Sequence, residues 1–369
     1  MTDRLITDLG PKPGDAEWRA AQAALAASDT VIGHIDTGLH PHPALGYAGE
    51  TPPANILFAE GANFHDPEAT GGLPAADPLN ANHGRGEYPD HGVKTLSVIL
   101  GNEAGTLVGA APGAKVQPYR VANGPVFIGE ADTAAIGRAI DHALAHPAPP
   151  KVFSISMGNP GFLGIAALLQ YGLKAEPGLA KATTDAIDRA YEAGVPLVAA
   201  GGQIINVVSY PAGYARAISV GGISSREVHY PVGGYNQPDR IDIWAYATPV
   251  NRAAFAIVDG KAKPTHWSDP EDNDGEPSGT SYATPQVAAA AAMWLTRYAE
   301  ELSRLPEPWM IVESFRKALR LSARKENIPL QVAGRRMQAI RRLDTEALLK
   351  TPPAQPAEKE KIGAARAFW

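Results

Sequence analysis

Cysteine is missing from all 369 residues, and this absence excludes more than any other feature of the composition. It rules out disulfides, thiolate metal ligands and a cysteine nucleophile. A membrane span is also lacking, because the alanine-rich stretch near residue 290 is too short and contains Pro285 and Gln286. The first eight residues lack a basic segment followed by an apolar run, so no signal peptide is visible. We therefore expect a cytoplasmic protein, unless a route not visible in the sequence exports it.

An excess of positive charge is lacking as well. The net charge is −6 and the pI is near 5.9, which argues against nucleic acid or an anionic membrane as a partner. The apolar share of 44% and the charged share of 20% are ordinary for a soluble globular protein. The length suits one large domain with short extensions. No oligomeric state follows from these numbers.

Apolar strands alternate with helical patterns along most of the chain. The alternation predicts an α/β fold: a doubly wound, mostly parallel sheet with helices on both faces. We predict a single domain over residues 28–350, a short extension over residues 1–27 and a mobile, proline-rich tail over residues 351–369. The predicted strands lie near residues 30–38, 115–121, 152–157, 196–200, 217–220 and 241–244. The predicted helices lie near residues 14–27, 90–100, 131–146, 179–193, 309–323 and 344–349, besides one that follows residue 280.

Ser281 stands at the start of the alanine-rich stretch, which is uncharged until Arg297. A segment that is apolar on all sides predicts a buried helix, and Pro285 is expected in its first turn, where no backbone donor is needed. Ser281 would then lie at a helix N-terminus, where free N–H groups favour negative charge. On its own, such a serine is more often a helix cap than a nucleophile.

Three segments change that interpretation. They are Val31-Ile32-Gly33-His34-Ile35-Asp36-Thr37-Gly38, then His91-Gly92-Val93 opening a helix, and then Gly279-Thr280-Ser281-Tyr282-Ala283-Thr284-Pro285. From about residue 28 to 350 the chain resembles the subtilisin-like serine proteases, in which Asp, His and Ser follow one another in this order. The resemblance implies a subtilisin-like fold and a serine endopeptidase. It assigns Ser281 as the nucleophile, His91 as the general base and acid, and Asp36 as the carboxylate that orients His91.

The resemblance also marks a substrate-binding strand and one departure from the family pattern. Ser156, Met157, Gly158 and Asn159 are expected to line the bound polypeptide substrate. The family usually places an oxyanion-binding asparagine where this chain has Gly202. Either Gln203 replaces it, or backbone N–H groups near Gly202 suffice, or the enzyme is slow; we favour Gln203. The same departure supports an alternative, a catalytically weak or inactive protein of this fold that binds peptides.

Other histidines and acidic residues offer weaker candidates. His83 is also followed by glycine, but no helical pattern follows it, so His91 fits the role better. The histidines around Asp36 match no known zinc spacing, and we expect no metal and no cofactor for the chemistry. An Asp-Thr-Gly motif also marks aspartic proteases, but those need a second copy. The acidic loop 269–276 is not an EF-hand, although structural calcium, common in the family, remains an option. Finally, residues 1–27 are a candidate inhibitory segment over the cleft.

Overall fold

A mostly parallel β-sheet separates two hydrophobic cores. The structure is a computed structural model that describes residues 5–79, 87–126, 130–159, 181–202, 208–225, 240–266, 279–329, 337–356 and 358–360. Its strands are β1 (Val31–Asp36), β2 (Ala62–Asn63), β3 (Asn102–Glu103), β4 (Leu107–Val108), β5 (Lys115–Arg120), β6 (Val152–Ile155), β7 (Leu197–Ala200), β8 (Ile218–Ser224), β9 (Ile243–Thr248), β10 (Ala253–Val258), β11 (Lys261–His266), β12 (Arg324–Pro329) and β13 (Met337–Arg342). Its helices are α1 (Ala16–Ala27), α2 (Pro67–Thr70), α3 (His91–Leu100), α4 (Glu130–Leu144), α5 (Lys181–Glu192), α6 (Thr280–Arg297), α7 (Ala299–Leu302), α8 (Trp309–Ser322) and α9 (Thr345–Leu349).

The order of the strands locates the point where a ligand is expected. Nine of the described strands form one sheet in the order β12-β13-β9-β8-β7-β6-β1-β5-β2. Neighbours are parallel except for β12 and β13. From β1 the chain passes to β5 on one side and then to β6 on the other, so the winding reverses between β1 and β6. Ligands of such sheets bind beyond the carboxyl ends of the strands at this switch point. Asp36 ends β1, and Ser156 directly follows β6.

Helices cover both faces of the sheet, as the alternation of elements predicted. On β1, Ile32 packs into one core and Ile35 into the other, because residues an odd number apart on a strand face opposite sides. Helix α6 belongs to the first core, where all residues from Thr280 to Leu295 are buried. Helices α4 and α5 pack on the opposite face and supply Ile140 and Ile187 to the second core. This arrangement confirms the doubly wound α/β prediction.

The position of Pro285 in α6 differs from the prediction. The helix begins at Thr280, so Pro285 is its sixth residue and lies in the second turn. A proline there cannot donate to the carbonyl four residues earlier, which belongs to Ser281. That carbonyl accepts a hydrogen bond from the Ser156 hydroxyl at 2.9 Å instead. A tertiary contact therefore replaces the missing helical hydrogen bond.

The described residues before β1 pack against the body of the domain. Ile6 forms a parallel bridge with Val250, and the Leu9 amide donates to the Val108 carbonyl at 2.9 Å. Helix α1 buries Ala21 and Leu25 in the core that contains α6. Val108 lies beside the C-terminal end of α3, and His91 begins that helix at its opposite end. Residues 5–27 thus pack as part of the folded domain, and none of these contacts involves Asp36, His91 or Ser281.

Residues 351–360, where the structure describes them, lie along the outer surface of the same domain. The Trp294 indole donates to the Thr351 carbonyl at 2.9 Å, and the Arg216 guanidinium donates to the Glu360 carbonyl at 2.9 Å. The Lys359 ammonium lies 5.6 Å from the centre of the Trp309 ring. These contacts attach this part of the tail to the helices it crosses. None of the described helices is long and apolar enough to span a membrane.

Candidate active site

Asp36 ends β1 and is fully buried. Its Oδ1 accepts hydrogen bonds from the Thr37 amide at 2.8 Å and from His91 Nδ1 at 2.7 Å, and its Oδ2 accepts from the Thr95 hydroxyl at 3.0 Å. Burial opposes ionisation, but the charge and hydrogen bond of His91, with smaller contributions from His34 and the Thr37 amide, outweigh it and lower the pKa of Asp36. The carboxylate is therefore ionised at neutral pH and can stabilise a positive charge on His91.

His91 begins α3 and meets Asp36 because Gly92 lets the start of the helix approach the loop after β1. A Cβ on Gly92 would lie 2.2 Å from the Gly38 carbonyl oxygen, so only glycine fits behind His91. The Gly92 amide, in the first turn of α3, donates to the Thr37 hydroxyl at 2.9 Å. With Nδ1 held by Asp36, the other ring nitrogen of a neutral His91, Nε2, is left as the proton acceptor. This is the tautomer that a general base requires.

Asp90 precedes α3 at the N-cap position, as predicted, but it does not act as a side-chain cap. Its carboxylate pairs with Lys94 one turn further along the helix, at 3.0 Å. In the first turn of α3, the Gly92 amide donates instead to the Thr37 hydroxyl from the loop after β1, and the His91 amide donates to the Tyr88 carbonyl.

Ser281 is the second residue of α6 and is 9% exposed. Its hydroxyl donates to the Ser156 carbonyl at 2.7 Å rather than to His91. The ring of the next residue, Tyr282, has its centre 6.4 Å from the centre of the His91 ring, which places the start of α6 beside His91. Catalytic hydrogen bonds are often formed only once substrate is bound. A rotation about the Cα–Cβ bond of Ser281 would turn its hydroxyl away from Ser156.

The backbone at Gly202 disfavours a side chain at the position where the family usually has asparagine. Its φ is +92°, in the left-handed region, and a Cβ there would lie 2.6 Å from the Ser209 hydroxyl oxygen. Its amide donates to the Thr280 hydroxyl at 3.2 Å. A side chain at this position would therefore be strained as well as crowded. Gln203, the predicted substitute donor, lies outside the described residues.

The predicted substrate-binding segment follows β6, and some of its backbone groups already form hydrogen bonds. Ser156 and Met157 are buried. The Gly158 amide donates to the Pro125 carbonyl at 2.9 Å, and Asn159 exchanges both backbone hydrogen bonds with Tyr210. The segment therefore lies between two neighbouring stretches of chain. A peptide strand added here would compete with the Pro125 carbonyl for the Gly158 amide.

Thr95 and His34 are residues of the site that the sequence analysis did not assign to it. Thr95 lies four residues after His91, one turn along α3, and His34 lies two residues before Asp36 on β1. Both spacings place side chains on the same face of their elements. His34 is buried, and this burial lowers its pKa to about 4 against the opposing effect of Asp36.

The other histidines near Asp36 are not arranged around a metal. His42 holds the β10–β11 hairpin, with its Nε2 within hydrogen-bond distance of the Ala254 and Thr265 carbonyls, at 3.1 and 3.0 Å. Across the described residues, no group of three or more histidine, aspartate or glutamate side chains is placed to bind a metal ion. The acidic loop 269–276 and His83 lie outside the residues that the structure describes.

The chain is similar to known proteins in its match to a family model, in its sequence and in its structure. Residues 27–336 match the model of the subtilase family. Subtilisin DY of Bacillus licheniformis is 27% identical over 267 residues, which cover 69% of this chain and 80% of that protein. A protease from Pseudoalteromonas arctica PAMC 21717 superposes with a TM-score of 0.63 at 19% identity, covering 94% of this chain and 99% of that one. The prenylagaramide maturation protease PagA superposes with a TM-score of 0.56 at 17% identity, covering 92% and 100%.

The two superpositions show the fold, and the family match covers most of the chain. Together they confirm the subtilisin-like fold predicted from the order of the Asp, His and Ser motifs. The protein belongs to the subtilase family and is a subtilisin-like serine protease.

Proposed function

We propose that the protein is an endopeptidase that uses Asp36, His91 and Ser281 as its catalytic triad and passes through an acyl-enzyme. The main support is the buried hydrogen bond of 2.7 Å between His91 Nδ1 and Asp36 Oδ1, at the switch point of the sheet and beside the start of α6. A buried carboxylate that orients a histidine next to a serine is the arrangement that activates a hydroxyl nucleophile.

The proposed reaction gives each of the three residues one role. The Ser281 hydroxyl would break its hydrogen bond to the Ser156 carbonyl. It would give its proton to His91 Nε2 and attack the scissile carbonyl carbon. His91 would then give that proton to the leaving amine, which breaks the peptide bond and leaves an ester on Ser281. Water, deprotonated by His91, would hydrolyse the ester and restore the serine. Asp36 stays ionised throughout and stabilises the imidazolium.

The negative charge on the substrate oxygen needs donors near the N-terminus of α6. The Ser281 amide lies in the first turn, where N–H groups have no partner within a helix. We propose that Gln203 supplies the second donor. Removing the oxyanion donor of a relative, an example already known for this family, costs on the order of 10²–10³ in turnover. If Gln203→Ala kept full turnover per active site, the second donor would be a backbone group.

The substrate is a polypeptide, and we propose that it binds in an extended conformation along Ser156, Met157 and Gly158. Capture by backbone hydrogen bonds favours unfolded or looped segments over folded ones. Because Pro125 already occupies the Gly158 amide, binding at this point would require the Pro125 carbonyl to move aside.

Hydrolysis of a denatured protein such as casein tests the proposal. The wild type is expected to release peptides and Ser281→Ala is expected to release none, because the nucleophile is gone. Ser322→Ala is the matched control, since that serine lies on α8 and bonds only to carbonyls of its own helix. A wild type that binds casein without cleaving it would favour the peptide-binding alternative. Cleavage that survives Ser281→Ala would refute the assignment of the nucleophile.

A further inference from the structure

A second histidine lies near Oδ2 of the carboxylate of the proposed triad, whereas His91 binds Oδ1. His34 precedes Asp36 by two residues on β1, so both side chains leave the same face of the strand. Its Nε2 lies 2.9 Å from the Thr95 hydroxyl oxygen and 4.0 Å from Asp36 Oδ2. His34 is 1% exposed, and the steps proposed above do not use it.

The single proton of the Thr95 hydroxyl fixes the direction of these hydrogen bonds. Three acceptors surround it: Asp36 Oδ2 at 3.0 Å, the His91 carbonyl at 3.2 Å and the Gly92 carbonyl at 3.3 Å. The carboxylate is the nearest and, being ionised, the strongest acceptor. Once the proton points to Asp36, the Thr95 oxygen can only accept from His34, so His34 must carry its proton on Nε2. The donors then run from His34 to Thr95 to Asp36.

We propose that His34 is a positioning residue for the catalytic pair, which fixes the Thr95 hydroxyl so that it donates to Asp36 Oδ2. This inference rests on the proposed function of Asp36 and His91. Without the bond from His34, the Thr95 hydroxyl is free to turn to the two carbonyls of its own helix. Asp36 Oδ2 would then lose its hydrogen-bond donor, and the carboxylate would be less stable as an anion and less well oriented.

The charge of Asp36 determines how strongly the carboxylate attracts a positive charge on the neighbouring ring of His91. A donor on Oδ2 disperses the negative charge and moderates this attraction. Losing that donor should therefore strengthen the attraction between Asp36 and the imidazolium and change the pH dependence of the reaction. The other charged or titratable groups on the surrounding elements have partners of their own: Asp90 with Lys94 on α3, Arg120 of β5 with Asp66 and Asp77, and Tyr282 of α6 with Arg252.

The test is the pH profile of kcat/KM for the full chain with a peptide substrate. His34→Val is expected to lower kcat about 10-fold with little change in KM, and to move the acid limb up by ~0.5–1 pH unit. His34→Gln should restore the wild-type profile, because its amide can donate to Thr95. Ile32→Val, a loss of one buried methyl on the same strand, should leave the profile in place. An unmoved profile in His34→Val would overturn the proposal.

A double-mutant cycle separates this role from simple packing. Since His34 acts through Thr95, adding His34→Val to Thr95→Val should shift the profile no further, whereas additive shifts would contradict the proposal. If His34→Val does not fold, His34→Leu, which fills more of the same space and also lacks a donor, replaces it in the cycle and is compared with His34→Gln. A shift confined to leucine supports the proposal and no shift overturns it. A wild type that cleaves no peptide would refute the proposed function rather than the role of His34.

Discussion

Ser156 and Ser281 hold each other by two reciprocal hydrogen bonds, each from the hydroxyl of one serine to the carbonyl of the other, at 2.7 and 2.9 Å. The pair joins the segment after β6 to the first turn of α6. One bond occupies the hydroxyl that we assign as the nucleophile. The other satisfies the carbonyl that Pro285 leaves without a helical donor.

This relationship predicts a specific rescue. Ser156→Ala should lower stability by about 1–3 kcal/mol, because the buried Ser281 carbonyl loses its donor. Adding Pro285→Ala should recover part of that loss, since residue 285 would regain an amide that can donate to the Ser281 carbonyl. Urea unfolding of the two single variants and the double variant measures the coupling. Strictly additive changes would show that the Ser156 hydroxyl does not compensate for Pro285.

The backbone at Gly202 predicts that the family asparagine cannot simply be restored. Gly202→Ala should cost about 1 kcal/mol for the positive φ, and more for the contact with Ser209. Gly14→Ala is the matched control, because Gly14 has a φ of +100° and no atom within 4 Å of the added Cβ. Unfolding free energies of both variants give the comparison. Equal losses would mean that Ser209 moves aside without cost.

Buried histidines predict a loss of stability on mild acidification. Burial lowers the pKa of both His34 and His40 to about 4 from 6.5, so the unfolded chain binds more protons between these values. Stability should therefore fall as the pH drops from 6.5 to 4, by up to about 3 kcal/mol for each histidine. Below that window Asp36 adds a further loss, because its pKa is lowered and protonation breaks its bond to His91.

Urea unfolding at pH 7 and pH 4.5 measures this effect. The His40→Gln variant should lose less stability between the two values than the wild type. The surface variant His146→Gln serves as the control and should follow the wild type. If His40→Gln left the loss of stability between the two pH values unchanged, the contribution of His40 to that loss would be contradicted.

The packing of α1 predicts that the N-terminal region stabilises the enzyme and does not inhibit it. Leu25→Ala should cost about 2–5 kcal/mol, because the side chain is fully buried. Specific activity of the folded fraction should stay the same, with no lag or burst. Arg19→Ala, on the exposed side of the same helix, should change stability little. An activity increase in Leu25→Ala would revive the inhibitory interpretation.

The sequence predicted the family and the proposed triad because those features depend on local patterns in a particular order. The motifs at Asp36, His91 and Ser281 fall at the ends of periodic segments, and the alternation of elements predicted the fold around them. The β10–β11 hairpin was not predicted, since its second strand is largely polar and exposed and His42, distant in sequence, holds it.

Other features depend on contacts that no local pattern encodes. Pro285 was expected in the first turn because the rule for proline in helices considers the helix alone. In the structure, a serine from another segment supplies the hydrogen bond that the proline cannot donate. Asp90 fits the pattern of a helix cap, yet its carboxylate pairs with Lys94, and the Thr37 hydroxyl accepts a hydrogen bond in the first turn of the helix. The link from His34 through Thr95 to Asp36 joins a strand to a helix, so only the packing of the two reveals it.

The most direct test of the central claim is the site of covalent labelling by a fluorophosphonate. Such a probe reacts with a serine hydroxyl only where a base activates it. After labelling of the wild type and proteolytic digestion, mass spectrometry should find the adduct on Ser281, in near-stoichiometric amount, and no adduct in Ser281→Ala. An adduct on another serine, or none in a folded wild type, would contradict the proposal that Asp36, His91 and Ser281 form a catalytic triad.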